Sequence, residues 1–388
     1  MKRVLSYLLL LLAACATPLY AGSCETFTIS EPTDSVVGDI RAVTARGDET
    51  LIDIAREFDL GYDQIVKANP NVNRWLPDDG AQVVLPQLYI LPGSVRRGLV
   101  LNISELRLYY YPEVKKSAPQ EVRTYPVSIG RMDWRTPLGA TKVVKKERDP
   151  AWRPPRSIRE EHARDGDPLP EVIPGGSPEN PLGRFALRLG LPTYLIHGVD
   201  ERKSYGIGMR VTHGCVRMYP EDIEQLFELV PVNTQVFIVD EPIKIGRRGD
   251  SIFLSVHQPL DEREDESLPP LPRVSVAQVT HQVRNQLGSL YDIPMDLLTS
   301  ITEEGDGIPH EIARVTPRAP EHSNVMASAP SQKSDPSDDA YYRAISKYYE
   351  DAPAAPHVKP SETQRRAPAP PPNPDDDAAV RQYLERRY

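Results

Sequence analysis

The chain has 388 residues, which is long enough for two or three domains rather than one. Its formal net charge of −9 argues against a nucleic-acid partner. The 40 prolines concentrate outside the segments with periodic apolar residues, and no apolar run beyond the N-terminus approaches membrane-spanning length.

The first 21 residues have the pattern of a secretory signal. A basic dipeptide at positions 2 and 3 precedes a short apolar core over residues 4–14. We favour simple cleavage between Ala21 and Gly22, because the preceding residues resemble a normal cleavage region. Alternatively, the run that ends at Cys15 resembles a bacterial lipobox, in which Cys15 would carry a lipid anchor.

Residues 39–87 predict a small unit with the order strand, helix, helix, strand. Gly47-Asp48 precedes apolar residues at helical spacing, and a second short helix ends at Asn69-Pro70. These features resemble a LysM module, which implies binding to the N-acetylglucosamine-containing glycan of peptidoglycan. Glu49 is an extra residue, because the family usually passes directly from Gly-Asp to Thr-Leu. The alternative is a spacer without affinity for sugar.

Residues 97–242 predict a second domain that is mainly β. Strands bounded by turn residues are expected at seven places, and a short helix at 222–229 precedes the last of them. The expected strands are Gly98–Asn102, Leu106–Tyr111, Arg123–Ile129, Thr141–Lys146, Phe185–Leu189, Tyr194–Ile196 and Thr234–Val239. The tyrosine run at 109–111 favours packing rather than binding, because aromatic residues fit pleated surfaces.

Residues 149–183 are rich in proline, glycine and charge. A long stretch without periodicity inside a compact domain is often functional. We therefore expect a lid over a cleft, with Trp152 and Arg153 in it.

The clearest chemical signal lies in the run from Val211 to Met218. Cys215 directly follows Gly214, and an upstream histidine, His197, ends an apolar run. The thiolate is the reactive form of cysteine, and a neighbouring imidazole can take its proton. Glycine permits the sharp turn, and N–H groups around Gly214 and Cys215 could face an oxyanion. The alternative is a buried structural cysteine near two unrelated histidines. That alternative would explain a single cysteine and histidine, but it does not explain the whole motif with its spacing.

The order His197-Gly198, followed after a spacer by Thr212-His213-Gly214-Cys215, resembles the active-site signature of L,D-transpeptidases with a YkuD-type catalytic domain. The resemblance implies a β-sandwich-like catalytic fold and a thioester on Cys215 formed with peptidoglycan stem peptides. It also implies a periplasmic enzyme and inhibition by carbapenem β-lactams.

Two histidines compete for the role of base. His213 is nearer in sequence, but its side chain points away from the thiol if the loop is extended. His197 ends an apolar run that reads as a buried strand, which is a rigid platform. The resemblance also assigns the base to His197, with its other ring nitrogen held by the carbonyl of Gly198. His213 and Gly214 are then expected to shape the loop and the oxyanion site.

Arg217 lies two residues after the thiol, and two roles for it stay open. It could form a salt bridge within the loop, or it could hold a carboxylate of the stem peptide, which suits a bidentate guanidinium. Gly198, Thr212 and Tyr194 complete the predicted substrate-binding set.

Cysteine usage favours an exported protein with a free thiol. After cleavage of the signal only Cys24 and Cys215 remain, and a disulfide between them would silence the nucleophile. No cysteine–histidine cluster has metal-ligand spacing, so we expect neither a metal nor a cofactor.

The remaining sequence predicts less order. Residues 243–316 form an extension that is partly helical, with helices expected at 274–287 and 293–301. Residues 317–388 have the proline-rich, charged composition of a disordered tail. Two short helical segments, 340–349 and 378–388, interrupt it.

The chain most resembles the subgroup of these enzymes that attaches an outer-membrane lipoprotein to peptidoglycan. The runs that carry this resemblance are Leu106–Pro112, Asn180–Gly183 and Gly206–Val211. It implies that the acyl acceptor is the amine of the lipoprotein's C-terminal lysine. A second stem peptide, giving a 3→3 cross-link, or water are alternative acceptors. A non-catalytic wall-binding protein is a further alternative, against which the His197 and Cys215 pair argues.

Overall fold

A computed structural model of the chain describes residues 25–47, 49–93, 95–114, 118–130, 136–164, 166–212, 214–259, 272–288 and 291–315. The predicted signal, Cys24, His213 and the predicted tail 317–388 lie outside these residues. Within the described ranges, no helix is both long and apolar enough to cross a membrane. The fold is mainly β, as the sequence predicts.

Sixteen strands and six helices are described, with a short 3₁₀ turn at Glu201–Gly206. In chain order they are β1 (Thr26–Ile29), β2 (Val36–Thr44), α1 (Leu51–Glu57), α2 (Tyr62–Ala68), β3 (Gln82–Ile90), β4 (Gly98–Asn102), β5 (Arg107–Tyr111), β6 (Gln120–Pro126), β7 (Ile129–Gly130), β8 (Gly139–Arg148), α3 (Arg156–Arg164), β9 (Phe185–Leu189), β10 (Leu195–His197), β11 (Arg210–Thr212), β12 (Val216–Arg217), α4 (Pro220–Leu229), β13 (Gln235–Val239), β14 (Ile243–Arg248), β15 (Ser251–Val256), α5 (Val276–Leu287), α6 (Met295–Glu304) and β16 (His310–Arg314).

The largest sheet has nine strands in the order β1-β6-β5-β4-β13-β8-β9-β10-β12. Most neighbours are antiparallel, but β13 runs parallel to β4, and β12 runs parallel to β10. The strand expected to close the domain, β13, lies instead in the middle of the sheet. Its parallel pairing with β4 joins segments far apart in the sequence, which local patterns do not reveal.

One hydrophobic core joins the two ends of this sheet. It contains Leu108 and Tyr125 from one end, and Ile196 and Val216 from the other. The sheet must therefore curl over its own core, which gives the sandwich-like arrangement that the sequence predicts. Helix α4 covers this core with its apolar side.

The tyrosine run on β5 serves packing, as expected. Tyr110 faces the first core, whereas Tyr109 and Tyr111 face a second cluster on the opposite side of the sheet. Period-two alternation along the strand explains this division. Side chains of β1, including Phe27, complete the second cluster.

The segment from β2 to β3 forms a unit with the order strand, helix, helix, strand. The two strands pair antiparallel along their whole length. Helix α1 begins with a capping box, in which Thr50 and Asp53 exchange hydrogen bonds between side chain and backbone. We call residues 36–90 the β2–β3 unit. Its identity as a sugar-binding module stays a prediction.

The β2–β3 unit is joined to the curled sheet by polar and apolar contacts. The buried Arg107 side chain of β5 donates to the carbonyl of Asp59 at 2.9 Å and to Gln64 Oε1 at 2.7 Å. Trp75 of the unit shares a small apolar cluster with Met209, which precedes β11. The β2–β3 unit therefore packs directly against the nine-stranded sheet and the segment before β11.

A third unit follows β13 and contains strands that the sequence analysis missed. Strands β14, β15 and β16 form a three-stranded sheet, and α5 and α6 pack on it. Its buried Lys244 pairs with Glu105 of the curled sheet at 2.7 Å, and Tyr109 donates to the same carboxylate at 2.6 Å. The predicted helices in this region are confirmed, with starts a few residues later than expected.

Two other local predictions were wrong. Strand β6 begins at Gln120, earlier than expected, because it pairs with β1, which lacks a strong sequence signal. Residues 156–164 form helix α3, although this stretch shows no clear periodicity. Only Ile158 of α3 is buried, so an apolar stripe is missing from its sequence. Trp152 forms an isolated bridge with Ile173.

Candidate active site

The candidate site lies on one face of three adjacent strands, β9, β10 and β12. Ile196 of β10 pairs with Val216 of β12, and both side chains point into the core. Because side chains alternate, the neighbouring positions His197 and Arg217 point to the opposite face. Cys215, directly before β12, continues this register opposite Leu195. The predicted nucleophile, Cys215, and the predicted base, His197, therefore lie on the same face of adjacent strands. His197 is two residues further along β10 than the position opposite Cys215.

Cys215 is partly exposed, and its thiol is held by the backbone at the start of β10. Its sulfur lies 3.6 Å from the carbonyl oxygen of Thr193, and the N–H of Leu195 donates to it. Burial raises the pKa of the Cys215 thiol, and the Leu195 N–H and the guanidinium groups of Arg217 and Arg188 partly oppose this rise. The resting site therefore holds a neutral thiol, directed towards Thr193.

His197 is buried, and its ring is oriented by the backbone. Its Nδ1 lies 2.6 Å from the carbonyl oxygen of Gly198, which is the partner expected from the sequence. A carbonyl only accepts, so Nδ1 donates here and Nε2 carries the lone pair. Burial and the positive charge of Arg217 lower the pKa of His197 to about 3. Hydrogen bonds to the carbonyls of Gly198 and Leu182 oppose this shift only in part. The imidazole is therefore neutral at physiological pH.

Thr212 fixes the short turn that leads to Cys215, which we call the nucleophile turn after the role predicted for Cys215. Its hydroxyl donates to the carbonyl of Cys215 at 2.6 Å and accepts from the N–H of Gly214 at 3.1 Å. Gly214 has φ +103°, a value that L side chains rarely adopt. In this geometry the Gly214 N–H is already engaged by Thr212, so Gly214 contributes shape to the turn rather than a hydrogen bond to an oxyanion.

The sequence analysis missed a second threonine that holds this turn. Thr136 Oγ1 donates to the carbonyl of Gly214 at 3.0 Å and accepts from the N–H of Gly130 at 3.1 Å. The side chain thus joins β7 to the nucleophile turn across a long sequence separation. A local sequence pattern gives no sign of the partners of this hydroxyl.

Arg188 is the other residue that the sequence analysis missed. It lies opposite Leu195 in the β9–β10 pair, on the same face as Cys215. Its Nε is 2.5 Å from Glu147 Oε2, and its charge acts on the thiol together with Arg217. A lone arginine inside the apolar strand Phe185–Leu189 was the available signal, because alternation sends it away from the core.

The other predicted site residues lie around this face. Tyr194 is half buried, and burial and the nearby Cys215 raise its pKa. Gly198 supports the imidazole, and the segment 180–183 lies against it: the Gly183 position is in close contact with Gly198 and Val199. Asn180 stabilises this segment by donating to the carbonyls of Pro150 and Pro174.

One group among the described residues has metal-ligand composition, and it lies away from Cys215. Glu304, Asp306 and His310 bring their ligand atoms within 4.8 Å of one another. The carboxylate of Asp306, 3.6 Å from His310 Nε2, raises the pKa of His310, so an ion pair accounts for the arrangement. No described residue at the thiol site adds to a metal-ligand set.

Comparisons with known proteins identify a family model and relatives that match this chain. A family model described as the YkuD L,D-transpeptidase catalytic domain matches residues 96–238. Probable L,D-transpeptidase YbiS of Escherichia coli strain K12 is 39% identical over 281 residues, covering 70% of this chain and 89% of that protein. Probable L,D-transpeptidase ErfK/SrfK of Salmonella typhimurium is 36% identical over 282 residues, covering 71% of this chain and 86% of that protein.

Among solved structures, L,D-transpeptidase 3 from Mycobacterium tuberculosis matches 54% of this chain and 93% of that chain. The match has 18% identity and a TM-score of 0.27. The assignment therefore rests on the sequence relatives and the family model. This chain belongs to the L,D-transpeptidase family. It is an enzyme, a transferase with a YkuD-type catalytic domain.

Proposed function

We propose that Cys215 forms a thioester with the diamino acid at position three of a peptidoglycan tetrapeptide stem, with His197 as the base. Membership of the family supports the reaction class. The observation that carries the residue assignment is the shared face of β10 and β12, which holds a partly exposed thiol beside a buried, oriented imidazole.

The first half-reaction transfers the acyl group to the enzyme. In the resting site the thiol proton is directed to the Thr193 carbonyl, so a rotation of the Cys215 side chain must bring it towards His197 Nε2. Sulfur then attacks the carbonyl carbon while His197 takes the proton. The C–N bond to the terminal D-alanine breaks, and the proton is returned to the leaving amine. A thioester and free D-alanine result.

The second half-reaction regenerates the thiol. An acceptor amine attacks the thioester carbonyl, the C–S bond breaks, and a new amide forms. The amine loses one proton and the Cys215 sulfur gains one, with His197 as the carrier. A neutral imidazole suits both steps, because it accepts a proton first and donates it later.

The positive side chains beside the thiol support a substrate with carboxylates. Arg217 and Arg188 both act on Cys215, and Glu147 neutralises part of this charge through Arg188. A stem peptide carries carboxylates near its scissile bond, and a planar guanidinium binds a carboxylate in a bidentate way. We assign this role to Arg217, with Tyr194 lining the same cleft and Thr212 fixing the turn beside it. Carbapenem β-lactams are expected to acylate the same thiol.

The proposed acceptor is the side-chain amine of a lysine at the C-terminus of an outer-membrane lipoprotein. The resemblance in the runs 106–112, 180–183 and 206–211 supports this acceptor. Mass spectrometry of peptidoglycan digests from cells with and without the protein tests it. Loss of bound lipoprotein peptide supports the proposal. Loss of 3→3 dimers instead indicates cross-linking, and a rise in bound lipoprotein indicates a releasing hydrolase.

We also propose that the β2–β3 unit is a LysM-type module that binds the glycan of peptidoglycan. Its order of elements and its turns at residues 47–50 and 69–70 support this. Glycan strands without stem peptides distinguish binding by the module from binding by the catalytic cleft, because the cleft is proposed to bind stem peptides. The full chain carrying Cys215→Ala should sediment with such strands. A protein that stays in the supernatant would identify the unit as a spacer.

The protein is further proposed to act in the periplasm after removal of residues 1–21. The basic start and apolar core of the N-terminus support export. The mass of the mature N-terminus distinguishes a start at Gly22 from a lipid on Cys15.

A further inference from the structure

The β2–β3 unit contacts the chain just ahead of the nucleophile through backbone hydrogen bonds. At the start of α2, the N–H groups of Tyr62 and Asp63 donate to the carbonyls of Ile207 and Gly208, at 2.9 and 3.2 Å. Gly208 has φ +91°, and an added Cβ would lie 2.3 Å from the Tyr62 nitrogen. Only glycine fits, so the position of residues 207–212 depends on how the unit is docked.

Two carboxyl groups meet in the same interface. Asp59 follows α1 of the β2–β3 unit, and Asp222 lies in the first turn of α4, which follows the nucleophile strand β12. Their relative exposures are 9% and 1%. Asp59 Oδ1 and both carboxylate oxygens of Asp222 are buried without any N–H or hydroxyl donor among the described residues. Asp222 therefore lacks the hydrogen bonds that a buried anion needs, and Asp59 lacks them at Oδ1.

Contacts on either side of the two carboxyl groups bring them together: Arg56 of α1 binds Glu221 at 2.7 Å, and the Tyr219 hydroxyl donates to the carbonyl of Leu60 at 3.1 Å. Each carboxyl group also shifts the pKa of the other. Two carboxylates cannot hydrogen bond, because each is only an acceptor when ionised. One proton between them removes this conflict: it converts one group into a donor and leaves a single negative charge. Like charges that share a site strongly favour such retention of one proton.

Charged and titratable groups surround the pair on every side. Arg107, which donates to the Asp59 carbonyl, is the cation that favours the remaining negative charge. The guanidinium of Arg56 forms ion pairs with Glu221, at 2.7 and 2.9 Å, and with Glu201, at 2.7 Å. The other groups that face the pair are Glu25 before β1, Tyr89 on β3 and Tyr219 at the start of α4. Arg107 is thus the cation that favours a negative charge on the pair, whereas Glu221 and Glu25 oppose a second one.

We propose that Asp59 and Asp222 share a single proton across this interface, and that they are positioning residues which dock the β2–β3 unit against the segment leading to Cys215. Tyr219, whose hydroxyl donates to the carbonyl of Leu60 at 3.1 Å, closes the same contact next to the pair. The effect on docking follows from the interface alone. The effect on acylation rests on the proposed function of Cys215.

The dependence on pH has a definite sign. Burial raises the pKa of Asp59 to about 6 and, together with the charge of Asp59, raises the pKa of Asp222 well above its ordinary value. The folded state therefore binds a proton that the unfolded chain releases near pH 4. The stability from this proton is fully present below that pH. It is lost as the pH rises through the folded pKa, because both carboxyl groups then become charged.

The variant Asp222→Asn tests the proposal in the full chain. An amide donates without needing a proton, so it keeps the contact with Asp59 but removes its pH dependence. Between pH 5 and 7, the unfolding constant of the wild type should rise up to about tenfold per pH unit relative to Asp222→Asn. The matched control is Asp250→Asn at an exposed carboxylate, and it should follow the wild type. Parallel profiles of wild type and Asp222→Asn would overturn the shared proton.

Three further measurements keep the test decisive if Asp222→Asn does not fold. Asp59→Asn replaces the other partner and should flatten the profile in the same way. Infrared spectra of the unaltered protein at pH 7 should show a protonated carboxyl band, and its absence would overturn the proposal. Hydrogen exchange at the amides of Tyr62 and Asp63 should show the interface opening as the pH rises.

Failure of this inference and failure of the proposed function give different results. If the wild type forms a carbapenem adduct but its pH profile parallels that of Asp222→Asn, the shared proton is refuted and the function stands. If the profiles diverge but no adduct forms, the shared proton of Asp59 and Asp222 is supported and the assignment of Cys215 as the nucleophile is refuted.

Discussion

Replacing Thr212 by valine tests how far the nucleophile turn depends on one hydroxyl. Valine keeps the shape of threonine but removes the group that donates to the Cys215 carbonyl and accepts from the Gly214 N–H. Thr212 and Gly214 are both buried, so water does not replace the lost partner.

The expected effect can be worked from these two contacts. Leaving a buried N–H without an acceptor costs about 1–3 kcal/mol. If this penalty falls on the reactive arrangement of the turn, acylation slows by about 5- to 150-fold, because 1.4 kcal/mol corresponds to a factor of ten. Thr212→Ser keeps the hydroxyl and should remain within a few-fold of the wild type.

Acylation by a carbapenem, followed by intact-mass analysis at timed intervals, measures this effect. Thermal unfolding of each variant shows whether the whole fold or only the turn has changed. A Thr212→Val rate within twofold of the Thr212→Ser rate would refute the view that this hydroxyl holds the turn in its reactive shape.

The remaining predictions concern the base, the cations and acid stability. His197→Ala should slow acylation by about 10²–10⁴-fold, a typical general-base effect, whereas His213→Ser should be milder; the reverse ranking would transfer the base to His213. Arg188→Gln should raise the pKa of Cys215, so the pH profile of thiol alkylation should move to higher pH; an unchanged profile would remove Arg188 from the site. Burial lowers the pKa of His197 and of His257 to about 3, below the unfolded value, so stability should be lost as the pH falls below about 6.5, by up to about 1.4 kcal/mol per pH unit for each histidine. Denaturant titrations should show a shallower acid slope for His257→Gln, and an equal slope would contradict the buried neutral state.

The parts of the site that the sequence predicted depend on local patterns. Alternation along β10 and β12 sends Ile196 and Val216 into the core and leaves His197 and Arg217 on the opposite face. The strand at Gly98–Asn102 has the predicted bounds, because its apolar, β-branched run ends in turn residues. Short-range periodicity was sufficient for these features.

The parts that were missed depend on contacts between distant segments. Thr136 reaches Gly214 from the segment that precedes β8, and Arg188 acts on Cys215 only because β9 pairs with β10. The meeting of Asp59 with Asp222 requires the docking of one unit on another. Strands β14 and β16 gave no expectation, since their apolar runs are short and interrupted by charge, and the uncharged run of β15 is only six residues long.

Intact-mass analysis of the full chain with a tetrapeptide stem tests the central claim most directly. The proposed function predicts a covalent acyl adduct that lacks the terminal D-alanine, located on Cys215 by peptide mapping and absent from Cys215→Ala. A stem adduct on the Cys215→Ala protein, or a folded wild type that forms none while releasing no D-alanine, would contradict the assignment of Cys215 as the nucleophile.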